Sequence, residues 1–242
     1  MTTLSGKSAL VTGANRGIGK AVVHELLARG AARVYAGTRQ RLDYADERVV
    51  PLTLDVTDAA QIRAAAEAVE SLDLLVNNAG VALLGDDLSD GAMLERHFAV
   101  NVFGMFGVTR ALLPALTDSR GAVLNMLSTS SWANMPLLPG YSVSKAAAFS
   151  LTQGLRAYLA GRGVRVHAAI IGVVDTDMTE VFDVPKTSPA VVAAGILDGL
   201  ERGEEEIFPD PASETVAEAW RGGAFKAMEV EYAALVAAAP QA

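Results

Sequence analysis

Short apolar runs alternate with longer segments of helical period along almost the whole chain, and that order admits few folds. Runs near residues 8–11, 33–36, 49–54, 72–76, 122–126, 164–170 and 206–208 read as strands. Helices fit between them near 18–29, 59–69, 90–116, 142–160 and 188–201. The pattern predicts a single doubly wound α/β domain over residues 1–242, with a mostly parallel seven-stranded sheet and helices on both faces. A chain of 242 residues is long enough for one such core and requires no second. The gap from Gly37 to Arg48 is barely long enough for a parallel crossover, so any helix there is short. From Ser213 onward Trp220, Phe225, Met228, Tyr232 and Leu235 stand among alanines, which predicts a helical extension over about 212–242 that docks on the body.

The first strand runs into TGANRGIG, with Gly13, Gly17 and Gly19 before and within the start of a helical pattern. Glycines at such a turn let the backbone approach a pyrophosphate, while the free N–H groups of the helix start face the anion. Asn15, Arg16 and Ile18 belong to the same turn. Any anion site must be local, because a net charge of −8 argues against broad contact with nucleic acid or an anionic membrane. The chain has no cysteine, which excludes disulfides, thiolate metal sites and a cysteine nucleophile. His24, His97 and His167 lie far apart in sequence, and no metal site is expected. The N-terminus lacks a basic region followed by a long apolar stretch, and no run reaches the roughly 18 apolar residues of a membrane span. A cytoplasmic protein without membrane partners is therefore expected.

Acid–base chemistry is suggested by GYSVSKAAAF, which puts Tyr141 and Lys145 four apart on one helical face. A tyrosine of ordinary pKa, near 10, is a poor proton carrier at neutral pH, and a nearby positive charge lowers that value toward a useful range. Ser128 closes the fifth strand, where ligands of open α/β sheets bind. Its hydroxyl could hold the oxygen of a substrate carbonyl; by sequence alone Ser130 and Ser131 are rivals.

Taken together these pieces resemble the short-chain dehydrogenase/reductase family. The resemblance covers about residues 5 to 210 and rests on TGANRGIG, Asp55-Val56 after the third strand, NNAG at Asn77 to Gly80, Asn101 within VNVFG, and Tyr141 with Lys145. It implies a Rossmann-type sheet in the order 3-2-1-4-5-6-7, with the cofactor across the switch between strands one and four. It implies that Asp55 and Val56 border an adenine, and that Asn78, Ala79 and Gly80 belong to the cofactor site. The family's serine-to-tyrosine spacing selects Ser128, completing an Asn101, Ser128, Tyr141 and Lys145 set. In that set Asn101 distorts its helix and Lys145 also grips the nicotinamide ribose. After the sixth strand Ile171 stands where the family has proline, while Gly172, Val174 and Thr176 are kept. By resemblance Val174 and Thr176 hold the nicotinamide carboxamide, at the start of a substrate loop over about 172–187.

The expected activity is reversible hydride transfer between NADP(H) and a small or medium, largely apolar ketone, aldehyde or secondary alcohol. NADP(H) is expected over NAD(H) because VYAGTRQR ends its strand in Thr38 where an NAD-reading enzyme has an acid. Arg39 and Arg16 can then converge on one 2′-phosphate, with Arg41 solvated. Trp132, Met135, Leu137, Leu138, Met178, Val181 and Phe182 are expected to border the substrate beside Ser128 and Tyr141. Asp175, Asp177, Glu180 and Asp183 disfavour the alternative of a 3-oxoacyl carrier-protein reductase. A non-catalytic NADP(H)-binding sensor is the rival from another class. A homodimer through the helices at 90–116 and 142–160 is expected, with a tetramer possible.

Overall fold

A computed structural model describes residues 3–40, 42–85 and 88–238, so Arg41 lies outside the described residues. Seven strands form one sheet: β1 (Ser8–Thr12), β2 (Arg33–Thr38), β3 (Val49–Thr53), β4 (Leu74–Asn77), β5 (Ala122–Ser128), β6 (Arg165–Ile171) and β7 (Glu206–Ile207). All pairings are parallel and the order is 3-2-1-4-5-6-7. The chain runs outward from β1 to β3, then returns to lay β4 on the other side of β1. That reversal opens a crevice at the carboxyl ends of β1 and β4.

Side chains alternate across the sheet with period two, which decides what each face packs against. Ala9, Val11, Val34, Val76 and Leu124 meet Val22 and Leu26 of α1 (Gly17–Ala28) and Ile196 and Leu197 of α6 (Pro189–Arg202). Leu10, Tyr35, Leu75 and Val123 point the other way. They meet Ala65 of α2 (Ala59–Ala68), Leu112 and Leu116 of α4 (Met105–Ser119), and Leu159 of α5 (Pro139–Ala160). Each fully buried aliphatic side chain contributes about 1.5–3 kcal/mol. Both faces are thus committed, as a parallel sheet requires.

Two amides tie the sheet to the helices that carry the site. Asn77 and Asn125 are register partners on β4 and β5. Asn77 Nδ2 donates to Asn125 Oδ1 at 2.8 Å and to Thr109 Oγ1 of α4 at 2.9 Å, and Asn125 Nδ2 donates to Thr152 Oγ1 of α5 at 2.9 Å. Each threonine hydroxyl donates to the carbonyl four residues back, so it is free to accept from the amide.

The elements differ from the sequence reading in two places. Among the described residues no helix lies between β2 and β3; turns make that crossover, because the gap is too short for a helix to span the sheet. The long helix expected at 90–116 is three pieces: α3 (Gly91–Phe98), a wide π-helical turn (Ala99–Gly104) and α4. The continuous helical stretch Gly91–Ser119 contains an 18-residue window of mean hydropathy 1.4 and is long and apolar enough to cross a membrane, a property the sequence reading did not register; here Val108, Leu112 and Leu116 bury against the sheet. The tail forms two helices, α7 (Pro211–Arg221) and α8 (Ala224–Ala238).

Candidate active site

The glycine turn is built by close contact with the end of β4. Thr12 Oγ1 accepts the backbone N–H groups of Asn78 and Ala79, both at 3.0 Å, and Asn78 Nδ2 donates to the carbonyls of Thr12 (2.8 Å) and Gly13 (3.1 Å). A Cβ on Gly19 would stand 2.3 Å from Gly13 O and 2.4 Å from Asn78 Nδ2, so the packing leaves room only for glycine. Gly13 and Gly17 have φ of +66° and +52°, conformations that glycine adopts without steric cost. The turn therefore leaves the N-terminus of α1 open to a phosphate.

This turn is one wall of a cleft of about 600 Å³. Gly13, Asn15, Arg16, Gly17, Ile18, Gly19, Thr38, Arg39, Asp55, Val56, Asn78, Ala79, Gly80, Ser128, Tyr141, Lys145, Val174 and Thr176 all line it. Asp55 is fixed by accepting from Thr57 N and Oγ1 at 2.9 and 2.7 Å. Val56 presses on the π turn so closely that a Cβ on Gly104 would meet Val56 Cγ2 at 2.7 Å. β2 ends in the buried Thr38, whose hydroxyl donates to the carbonyl of Gln40, and Arg39 beside it is exposed. Arg16 does not turn toward Arg39; its guanidinium meets Asp177 at 2.5 Å.

Ser128, Tyr141 and Lys145 come together on the cleft wall, and the fourth polar residue named from sequence, Asn101, is buried behind them. Ser128 ends β5, where its Oγ accepts from Ser130 N at 3.1 Å and hydrogen-bonds the phenol of Tyr141. Of its rivals, Ser131 turns its hydroxyl back to Ser128 N, at 3.4 Å, and neither Ser130 nor Ser131 lines the cleft. Pro139 starts α5 and places Tyr141 in its first turn, one turn before Lys145. Lys145 Nζ donates to Met126 O at 2.8 Å and lies 5.6 Å from the centre of the Tyr141 ring. Asn101, in the π turn, clamps the strand exit: its Nδ2 donates to Val81 O and Ser144 Oγ, both at 2.9 Å, and its Oδ1 accepts Val81 N at 2.9 Å. A Cβ on Gly80 would stand 3.3 Å from Asn101 Oδ1 and 3.7 Å from Lys145 Nζ, so bare backbone separates the two.

Burial dominates the electrostatics here. It pushes the Tyr141 phenol up to about 12, the Ser128 hydrogen bond offsetting part of the rise, and pushes the Lys145 ammonium down to about 8. The expected lowering of Tyr141 by its lysine is therefore not a property of the protein alone. Desolvation outweighs it.

The expected substrate border needs correction. Trp132 turns away from the cleft and stacks on Trp220 of α7, ring centres 4.7 Å apart, with Phe149 and Phe208 at 5.7 and 5.8 Å. An aromatic surface of that size is better buried against the tail than left on the cleft wall. Phe182, Met135, Leu137, Leu138 and Val181 also do not line the cleft; only Met178 of that group does. Val81, Leu83 and Val100 line it instead.

Other residues emerge only from the fold. His97 is fully buried, accepts Leu83 N at Nε2 (3.0 Å), and sets its ring centre 6.5 Å from that of Tyr141. Asp210, the cap of α7, accepts Gly172 N at 2.9 Å and so holds the start of the 172–187 loop where Ile171 replaces the usual proline. That loop is pinned at its base by the pairing of Val174 with Thr187. Among the described residues no cluster of three or more metal-ligating side chains occurs.

The family profile described as short chain dehydrogenase matches residues 7–185. Oxidoreductase UcpA of Salmonella typhimurium is 34% identical over 235 residues, covering 86% of this chain and 89% of that protein. A galactitol 2-dehydrogenase (L-tagatose-forming) of Cereibacter sphaeroides is 40% identical over 189 residues, covering 73% and 74%. The crystal structure of a short chain dehydrogenase from Burkholderia cenocepacia J2315 in complex with NADP superposes with a TM-score of 0.87 at 34% identity, covering 95% of this chain and 98% of that one. With its glycine turn, NNAG strand exit and Ser128–Tyr141–Lys145 cluster in one cleft, the chain belongs to the short-chain dehydrogenase/reductase family of oxidoreductases.

Proposed function

We propose that the protein is an NADP(H)-dependent reductase/dehydrogenase acting on a small or medium, largely apolar ketone, aldehyde or secondary alcohol. The observation that carries this is the hydrogen bond between Ser128 and the Tyr141 phenol, with Lys145 one helical turn away, at the inner end of a cleft whose outer wall is the glycine turn. The cleft fits a dinucleotide: its turn excludes even a methyl group at Gly19, and its volume lies in the range of ligand sites. Gly13 to Gly19 would hold the pyrophosphate, Asp55 and Val56 the adenine, Asn78 to Gly80 and Lys145 the ribose side, and Val174 and Thr176 the carboxamide. NADPH, when bound, supplies the hydride.

The chain's own residues supply position and a proton. Ser128 Oγ holds the substrate oxygen next to the Tyr141 hydroxyl. Held at about 12, that hydroxyl keeps its proton at neutral pH and releases it when the substrate oxygen gains negative charge. Lys145, with a value of about 8, is mostly ammonium at pH 7 and stabilises the phenolate left behind. Asn101 fixes the Val81 strand exit over this group.

Thr38 at the end of β2 and Arg39 after it favour the 2′-phosphate, as does NADP in the Burkholderia relative. Val81, Leu83 and Met178 on the cleft favour an apolar substrate. Exposed apolar side chains on the π turn and α5, Phe103 and Val143, support a homodimer, which light scattering at micromolar protein would show. The substrate is tested with a panel of ketones, aldehydes, polyols and a carrier-linked 3-oxoacyl chain at fixed NADPH. Reduction of apolar ketones above the rest supports the reading, and turnover confined to the carrier-linked chain or the polyols contradicts it.

A further inference from the structure

Arg16 and Asp177 lie 161 residues apart, yet their side chains meet at 2.5 Å across the opening of the cleft, and both residues line it. Asp177 belongs to the short helical turn Asp177–Thr179 of the substrate loop. The loop leans on the glycine turn here, since a Cβ on Gly17 would stand 3.1 Å from the Thr176 methyl. Arg39, on the other side, has no carboxylate partner among the described residues. Of two arginines suited to a phosphate, one is therefore uncommitted and one is held by an internal acid.

The geometry points to Asp177 as a built-in competitor for the cofactor's 2′-phosphate: Arg16 exchanges its carboxylate for the phosphate when the nucleotide binds. This rests on the NADP(H) reading above. Both side chains are about two-thirds exposed, at 65% and 69%, so the pair is weak enough for a doubly charged phosphate to displace. The Asp177 carboxylate, within a Debye length of the site, also repels an incoming anion. The exchange frees Asp177, and with it the turn that carries Met178, from the glycine turn. Asp177 thereby sets how strongly the protein discriminates for the 2′-phosphate.

Titration calorimetry of adenosine 2′,5′-bisphosphate and of 5′-AMP, on wild type and on Asp177→Asn, tests this without turnover. Asp177→Asn should bind the bisphosphate about three- to five-fold tighter, the size expected for losing one exposed ion pair, and 5′-AMP unchanged. Unchanged bisphosphate affinity, or an equal gain for 5′-AMP, overturns the competitor while leaving the NADP(H) reading intact, provided wild type prefers the bisphosphate. No such preference in wild type overturns the NADP(H) reading and the competitor with it.

Discussion

Tyr141 and Ser128 are thirteen residues apart in sequence and hydrogen-bonded in space, because the first turn of α5 folds back over the end of β5. The return is fixed at both ends. Ser128 caps the turn that leaves the strand, and Ser142 Oγ accepts Met135 N at 3.0 Å while donating to Leu138 O at 3.0 Å. The pair's geometry is thus a property of the backbone path, formed before any substrate arrives.

Lys145 gives stability a measurable pH dependence. Its value falls from 10.5 to about 8 on folding, so between those two pH values the unfolded chain binds more protons and stability rises with pH. Relative to Lys145→Met, the wild type should gain about 3 kcal/mol between pH 7 and 10 in urea unfolding. Tyr141 acts in the opposite sense only above pH 10, where its raised value makes stability fall. Parallel pH profiles for wild type and variant would contradict the buried, desolvated lysine.

Asp210 should matter to a loop 38 residues before it in the chain. Its carboxylate accepts Gly172 N, Ala212 N and Ser213 N, and it is 3% exposed. Asp210→Ala leaves these buried donors unsatisfied and should cost about 2–3 kcal/mol by urea midpoint. Asp210→Asn keeps an acceptor oxygen and should recover much of that. Equal losses for the two variants would show that the charge, and not the hydrogen bonding, is what counts.

Cofactor choice is tested by adding the acid that β2 lacks. Thr38→Asp with Arg39→Gln should weaken NADPH by about 2–4 kcal/mol, through a lost charge-assisted contact and a new repulsion. NADH should lose far less. Wild type with equal kcat/KM for the two cofactors would contradict the preference.

What was legible in the sequence was whatever the backbone itself dictates. The parallel sheet follows from alternating elements, its strand order came from the family resemblance, and Gly13 and Gly19 sit where a positive φ or the lack of room for a Cβ calls for glycine, so their spacing could be read directly. That Asn101 distorts its helix was legible through the family resemblance, and the π turn Ala99–Gly104 carries it. Contacts set by remote segments were not legible. Nothing local says that Trp132 finds Trp220, that Arg16 finds Asp177, or that Asp210 does the work of the proline missing at residue 171. Those pairings depend on where the tail and the substrate loop dock, and that is decided by packing over the whole sheet.

The central claim, that the Tyr141 hydroxyl carries the proton, is tested most directly by Tyr141→Phe, assayed with NADPH and the best ketone from the panel. The account predicts a fall in kcat of about 10²- to 10⁴-fold, with NADPH affinity by fluorescence titration unchanged within about two-fold. A variant that keeps most of its turnover would contradict it.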